Sequence, residues 1–331
     1  MTHSFDAYVA AALFAPRGSG QADGGWGHAF CLGDGTVRFA GGAVVQAHEG
    51  AVLCAAVHPL GVGVLTGGDD GRLVLSTPEG AETIADLSGK WIDALATEPG
   101  GLIAFATGKT LHVRDAKDAK FTRTFQHERS VADLAFDPKG RRIAAATYGG
   151  VAQWFARIAD QKPTFLRWAG SHIAVAWSPD GRFLISAMQE NSLHGWRLQD
   201  SKDMRMGGYP AKPRSLAFLG GGQLLATSGA GGVVVWPFGG ANGPMGREAT
   251  EIGYEDSGAL VTRVAGYPTG FRVVAGMDDG RVWSAELTGR DRVPLRADKG
   301  AAISALTVSP DGKRVAWGDE EGEAGVAELP A

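Results

Sequence analysis

Along this chain the apolar residues come in short runs, each cut off by glycine, proline or an Asp-Gly pair, and none keeps the spacing of an amphipathic helix. Runs of this length and composition predict strands. Seven of them end on a proline: "ALFAP" at Pro16, "CAAVHP" at Pro59, "ALATEP" at Pro99, "DLAFDP" at Pro138, "AVAWSP" at Pro179, "RVAGYP" at Pro268 and "ALTVSP" at Pro310. The steps between these prolines are 43, 40, 39, 41, 89 and 42 residues. The long step spans two units, and "RSLAFLGG" near Gly220 fills the gap without a proline. A fixed period of about 41 residues, repeated eight times, predicts a repeat architecture.

Each unit continues in the same way. A turn follows the proline position, as in "DPKG" 137–140 and "SPDG" 178–181 and 309–312. A second strand of small apolar residues comes next, for example "GVLTGG" 63–68, "LIAFATG" 102–108 and "FLISAM" 183–188. Asp-Gly turns at 33–35, 69–71 and 278–280 tolerate the positive φ of a tight hairpin. A third strand ("LVLST", "LHGWRL", "VVVWPF") and a more polar fourth ("ETIAD", "FTRTF") complete a four-stranded antiparallel meander. One such meander cannot bury both faces, so the units must stack, and a radial stack of four-stranded units is a β-propeller. The expected fold is all-β, a single propeller domain over residues 1–331. Eight blades are expected, with seven as the alternative if the irregular stretch 16–27 is an extension. Residues 2–6 precede the first inner strand, and "GVAEL" 325–329 reads as a third strand. The N-terminal residues are therefore expected to pair with the C-terminal blade and close the ring, which removes an exposed sheet edge.

Unit two, "AHEGAVLCAAVHPLGVGVLTGGDDGRLVLS", resembles the WD40 repeat, with His48, Thr66 and Asp70 in the family's His, Ser/Thr and Asp positions. Trp154, Trp196 and Trp236 keep the strand-end tryptophan in units four, five and six, whereas unit two has Ser76 there and no Trp-Asp dipeptide occurs. The resemblance implies that His48, Thr66 and Asp70 form a structural turn network. It also implies a non-catalytic scaffold that presents one mouth of the propeller to a protein or peptide.

Composition narrows the picture. Fifty glycines suit many tight turns. The formal net charge of -4 and the pI of about 6.1 do not provide the basic footprint of a nucleic-acid binder. No apolar run reaches the length of a membrane span, and the start lacks a basic stretch before its apolar part, where Asp6 sits instead. Two cysteines, Cys31 and Cys54, make no disulfide framework, which fits a reducing, cytoplasmic setting. A monomeric propeller without cofactor is expected.

The sequence holds no G-x-S-x-G, H-E-x-x-H or P-loop pattern. Cys54 and His58 share a strand face, but two ligands do not make a zinc site, and no metal site is expected. The acidic stretch "GDEEGE" 318–323 reads as a solvated turn or, more sharply, as a partner contact. The loops leading into the inner strands carry Trp91, Arg129, His172 and Arg214, and the facing turns add Tyr148, Gln189 and Asp278. Trp, Tyr and Arg dominate interface hot spots, so Trp91, Arg129, Tyr148, His172, Gln189 and Arg214 are the candidate partner-binding residues. An alternative is a metal-binding or enzymatic propeller working at the channel mouth through His172 and Asp278. Phe136, Trp177 and Phe218 share one repeat position and are expected to be mostly buried between blades.

Overall fold

The computed structural model describes residues 2–16, 25–287 and 292–330. The strands form six four-stranded sheets and one six-stranded sheet, all antiparallel, arranged as a β-propeller. The inner strands of units one to four are Val9–Phe14, Val52–Val57, Ala94–Thr97 and Val131–Phe136. Those of units six to eight are Leu216–Leu219, Val261–Gly266 and Ile303–Val308.

The eight repeat units form seven hydrogen-bonded sheets rather than eight separate ones, and the reduction arises at units four and five. Arg142–Phe155 and Thr164–Trp177 are continuous strands of 14 residues each. The first half of Arg142–Phe155 pairs with the inner strand of unit four (Phe136↔Ile143), and its second half pairs with Thr164–Trp177 (Gln153↔Thr164). Thr164–Trp177 in turn runs on to pair with the second strand of unit five (Trp177↔Leu184). The first unit does not cause the reduction. Its strands Val9–Phe14, His28–Leu32, Thr36–Phe39 and Val44–Gln46 make a four-stranded sheet of their own. The stretch 17–24 lies outside the described residues.

The small-residue pattern of the second strands has a direct cause. These strands are covered on both faces by neighbouring sheets, and every residue of Leu102–Thr107 and Phe183–Met188 is buried. A Cβ at Gly67 would lie 2.6 Å from the Ile92 carbonyl oxygen of the next unit, and one at Gly318 would lie 2.4 Å from Val9. Larger residues there would push neighbouring units apart. The outer strands alternate instead, as in Asp118–Gln126, because one face meets solvent.

Six inner strands carry a register shift at the same place, between Val9/Ala11, Val52/Cys54, Val131/Asp133, His172/Ala174, Val261/Arg263 and Ile303/Ala305. Such a bulge bends a strand and re-aims its side chains. Side chains at or beside this position reach across to the next unit's backbone. Cys54 Sγ donates to the Ile92 carbonyl at 3.3 Å, and Asp133 Oδ2 accepts from Val175 N at 2.8 Å. Ser215 Oγ both donates to Val264 O (3.1 Å) and accepts from Val264 N (3.0 Å). Ser304 Oγ donates to Val9 O at 2.7 Å, which joins unit eight to unit one. At that same joint Thr2–Ser4 pairs with Glu323–Glu328 (His3↔Ala324) as the outer strand of the last sheet.

Trp177 is buried, donates from Nε1 to Ala135 O at 3.1 Å and lies beneath the Arg142 guanidinium. Phe136 and Phe218 are partly buried and pack against buried core clusters, in line with the expectation that all three are mostly buried.

Candidate interaction face

The turn of unit two is built around His48, which is 1% exposed. Its Nε2 lies 2.8 Å from Thr66 Oγ1 and its Nδ1 lies 3.0 Å from Asp70 Oδ1. Asp70 also accepts from Arg72 N (3.0 Å), Arg72 Nε (2.9 Å) and Glu49 N (3.2 Å). Burial pushes the Asp70 carboxyl up, but the hydrogen bonds from Arg72 and His48 outweigh it and hold the group below the usual carboxylate range. Every acceptor position is used, so this Asp-rich turn is occupied with holding the blade.

Other units keep this network with different residues. In unit six Tyr209 takes the histidine's place: its OH lies 2.7 Å from Thr227 Oγ1 and accepts from Trp236 Nε1 at 2.7 Å. In unit five His172 fills the role. It is fully buried, with Nδ1 2.7 Å from Ser186 Oγ and Nε2 3.1 Å from Trp168 O. His172 is therefore not a rim residue, which corrects its place among the partner-binding candidates. The residue that matches His48 in position is Trp168, stacked on His194 with ring centroids 3.8 Å apart. The histidine has moved four residues along the chain and reaches the same serine from the start of the inner strand.

Cys54 and His58 do not converge. Cys54 donates to Ile92 O, and His58 Nδ1 accepts from Leu60 N at 3.2 Å. Burial pushes the Cys31 thiol up to about 12 and raises that of Cys54 as well, so neither is a ready nucleophile. Among the described residues no group of three His, Cys, Asp or Glu side chains is placed to hold a metal ion. No helix among them is long and apolar enough to cross a membrane. In the acidic stretch, Asp319 is buried, pairs with Arg296 at 2.9 Å and accepts from Glu321 N and Glu323 N. Glu320 and Glu321 remain exposed.

The other candidates are exposed: Trp91 at 63%, Tyr148 at 60%, and Arg129, Gln189 and Arg214. They do not share one site. Arg129 and Tyr148 meet in a recess of about 560 Å³ in unit four, whose lining includes Gln126 at the end of unit three. Arg214 lines a smaller one of about 180 Å³ with Arg263, Asp278 and Glu320, where Asp278 Oδ1 accepts from Leu260 N at 2.9 Å. Trp91 and Gln189 line neither recess.

The larger recess gathers residues that sequence reasoning did not single out for the site. Trp154 and Phe165 form apolar walls, and Lys162 and Arg167 stand at its edge beside Arg129. The floor is neutral, because burial lowers His127 to about 4 and its Nε2 accepts from Trp154 Nε1 at 3.2 Å. Arg129, Lys162 and Arg167 have no ion pair with a described residue. Arg167 instead lies 5.2 Å over the Phe165 ring. The equivalence of His127 with His48 was visible in "QHERSV" and "AHEGAV", but not that the space beside His127 stays open.

Closed radial stacking of four-stranded units defines the chain as a β-propeller. Residues 42–75 and 165–197 match the family model "WD domain, G-beta repeat". These two stretches are similar to that family's repeat, and the rest of the ring shares the propeller fold. The fold is similar to that of the computationally designed protein Ika8, with a TM-score of 0.77, 17% identity and coverage of 99% of this chain and 98% of that one. It is also similar to the β-propeller domain of Cps50 (Swd1) from Myceliophteria thermophila, with a TM-score of 0.67, 15% identity and coverage of 84% of this chain and 96% of that domain. No curated protein sequence matches the chain.

Proposed function

We propose that this propeller is a non-catalytic interaction module that holds a protein or peptide on the face carrying Arg129 and Tyr148. WD40 propellers commonly serve as such scaffolds. The observation that carries the reading for this chain is the recess in unit four, where exposed aromatic and unpaired cationic side chains meet over apolar walls. Aromatics supply contact area with few rotatable bonds, and arginines supply paired hydrogen bonds to carboxylates and carbonyls. His48, His172 and Cys54 spend their polar atoms on bonds within and between the blades.

The test is affinity capture followed by mass spectrometry, comparing wild-type protein with two double variants. Arg129→Ala with Tyr148→Ala should lose the captured partner, at a cost of at least about 1 kcal/mol in affinity. Arg141→Ala with Arg182→Ala, at the turns after the inner strands, should keep it. Loss in the second pair with retention in the first would place binding on the other face.

A further inference from the structure

We infer that the recess in unit four takes an acidic peptide segment bearing an aromatic or aliphatic residue, its carboxylates set against Arg129, Lys162 and Arg167. This rests on the interaction-module reading above and adds the chemistry of the partner. Three cations line the recess against one carboxylate, that of Glu128, in a chain whose overall charge is -4. The basic cluster is thus a local departure from an acidic average. Several arginines elsewhere are spent on their own turns. Arg72 pairs with Asp70, Arg182 with Asp180, Arg197 with Asp200 and Arg281 with Asp279. Those at the recess have no such partner among the described residues, so their donors stay available to an incoming anion.

Beneath them the walls are apolar and the floor is uncharged. Trp154 is buried with its N–H already given to His127, so it offers the recess a ring surface and no donor. Phe165 is half-buried beneath the Arg167 guanidinium. Cations at the mouth over an aromatic interior favour a segment in which acidic residues flank an apolar one. The acids steer and orient the segment, and the apolar side chain gives up its hydration inside. A volume of about 560 Å³ holds a few side chains rather than a folded domain, which fits an extended segment. A nucleic acid would favour a broadly basic surface, whereas the chain carries a formal net charge of -4.

The test uses fluorescein-labelled synthetic peptides read by anisotropy. One alternates Glu and Phe, its isostere alternates Gln and Phe, and a single-stranded oligonucleotide serves as a further probe. The Glu/Phe peptide should bind saturably, about tenfold or more tightly than the Gln/Phe isostere, and lose affinity as salt is raised. Arg129→Glu with Arg167→Glu should abolish that preference, as should Lys162→Glu made separately. All three side chains are exposed, so unchanged melting curves are expected and would confirm intact folding. Equal binding of the two peptides, insensitivity to both charge reversals, or preferential capture of the oligonucleotide through the same residues overturns the inference. If the partner found by affinity capture is still lost in Arg129→Ala with Tyr148→Ala while the peptides show no preference, the acidic-segment claim fails and the interaction-module reading stands. If capture is unaffected as well, both fail.

Discussion

Units two and four start from the same repeat and put their side chains to different uses. In unit two, His48 is clamped between Thr66 and Asp70, and Asp70 is saturated by Arg72 and Glu49. In unit four, His127 has the Trp154 indole as its partner, and the turn opposite offers Tyr148 and Gly149 in place of an acid. That turn lies within a continuous strand joined to unit five. Where the network is complete, polar groups are consumed in holding the blade. Where it is broken, aromatic and cationic side chains are left facing a recess. The comparison teaches that a degenerate repeat can mark the place where a propeller does something other than hold itself together.

The largest expected effect tests the fused region as structure. Trp177→Ala, beneath Arg142 and bonded to Ala135, should cost about 3–5 kcal/mol by urea unfolding. A cost below about 1 kcal/mol would mean the joint between units four and five does not depend on it.

A smaller loss is expected in unit two. Asp70→Asn removes the charge that Arg72 and His48 share and should cost about 1–3 kcal/mol. Thermal unfolding measures it, and a neutral result would show that the completed network is dispensable.

A pH titration sharpens the comparison further. Burial lowers His28, His112, His127 and His194 from 6.5 to about 4. A histidine depressed in the folded state binds its proton more readily when unfolded. Its contribution is therefore full above the unfolded pKa of 6.5 and is lost as pH falls towards about 4. Asp133 works the other way: burial raises it from 3.8 to about 6, so its contribution is full below 3.8 and is lost as pH rises through about 6. His58 and His172 are lowered by burial in the same direction, and six histidines against two raised carboxyls, Asp133 and Asp93, predict a melting temperature that drops as the solution is acidified across this window. His127→Gln should flatten that slope, and an unchanged slope would mean His127 is solvated.

Much of the fold was legible in the sequence because the prolines, the Asp-Gly turns and the small second strands are local signals with a fixed period. The fusion of units four and five was not legible, since "RWAGSH" 167–172 reads as an ordinary connection and only the pairings on either side show Thr164–Trp177 running through it. The inner-strand bulges carry no residue signature either: alanine, leucine, isoleucine, threonine and serine all occupy the extra position. Tyr209 escaped notice because it serves as a histidine without being one, although Thr227 and Trp236 marked where such a partner belonged. Arg129 and Tyr148 were visible as an aromatic-arginine pair in adjacent loops. Lys162 and Arg167 were not, because they reach the recess from the outer strand of the unit and from the loop before it.

The division of labour between the two units is tested most directly by measuring melting temperature and partner affinity together on Asp70→Asn and Tyr148→Ala. Tyr148 is exposed, so its removal should change stability by no more than about 0.5 kcal/mol while weakening partner binding by at least about 1 kcal/mol. Asp70→Asn should lower the melting temperature and leave the affinity of the folded protein unchanged. A Tyr148→Ala protein that binds normally, together with an Asp70→Asn protein that melts normally but has lost its partner, would contradict the account.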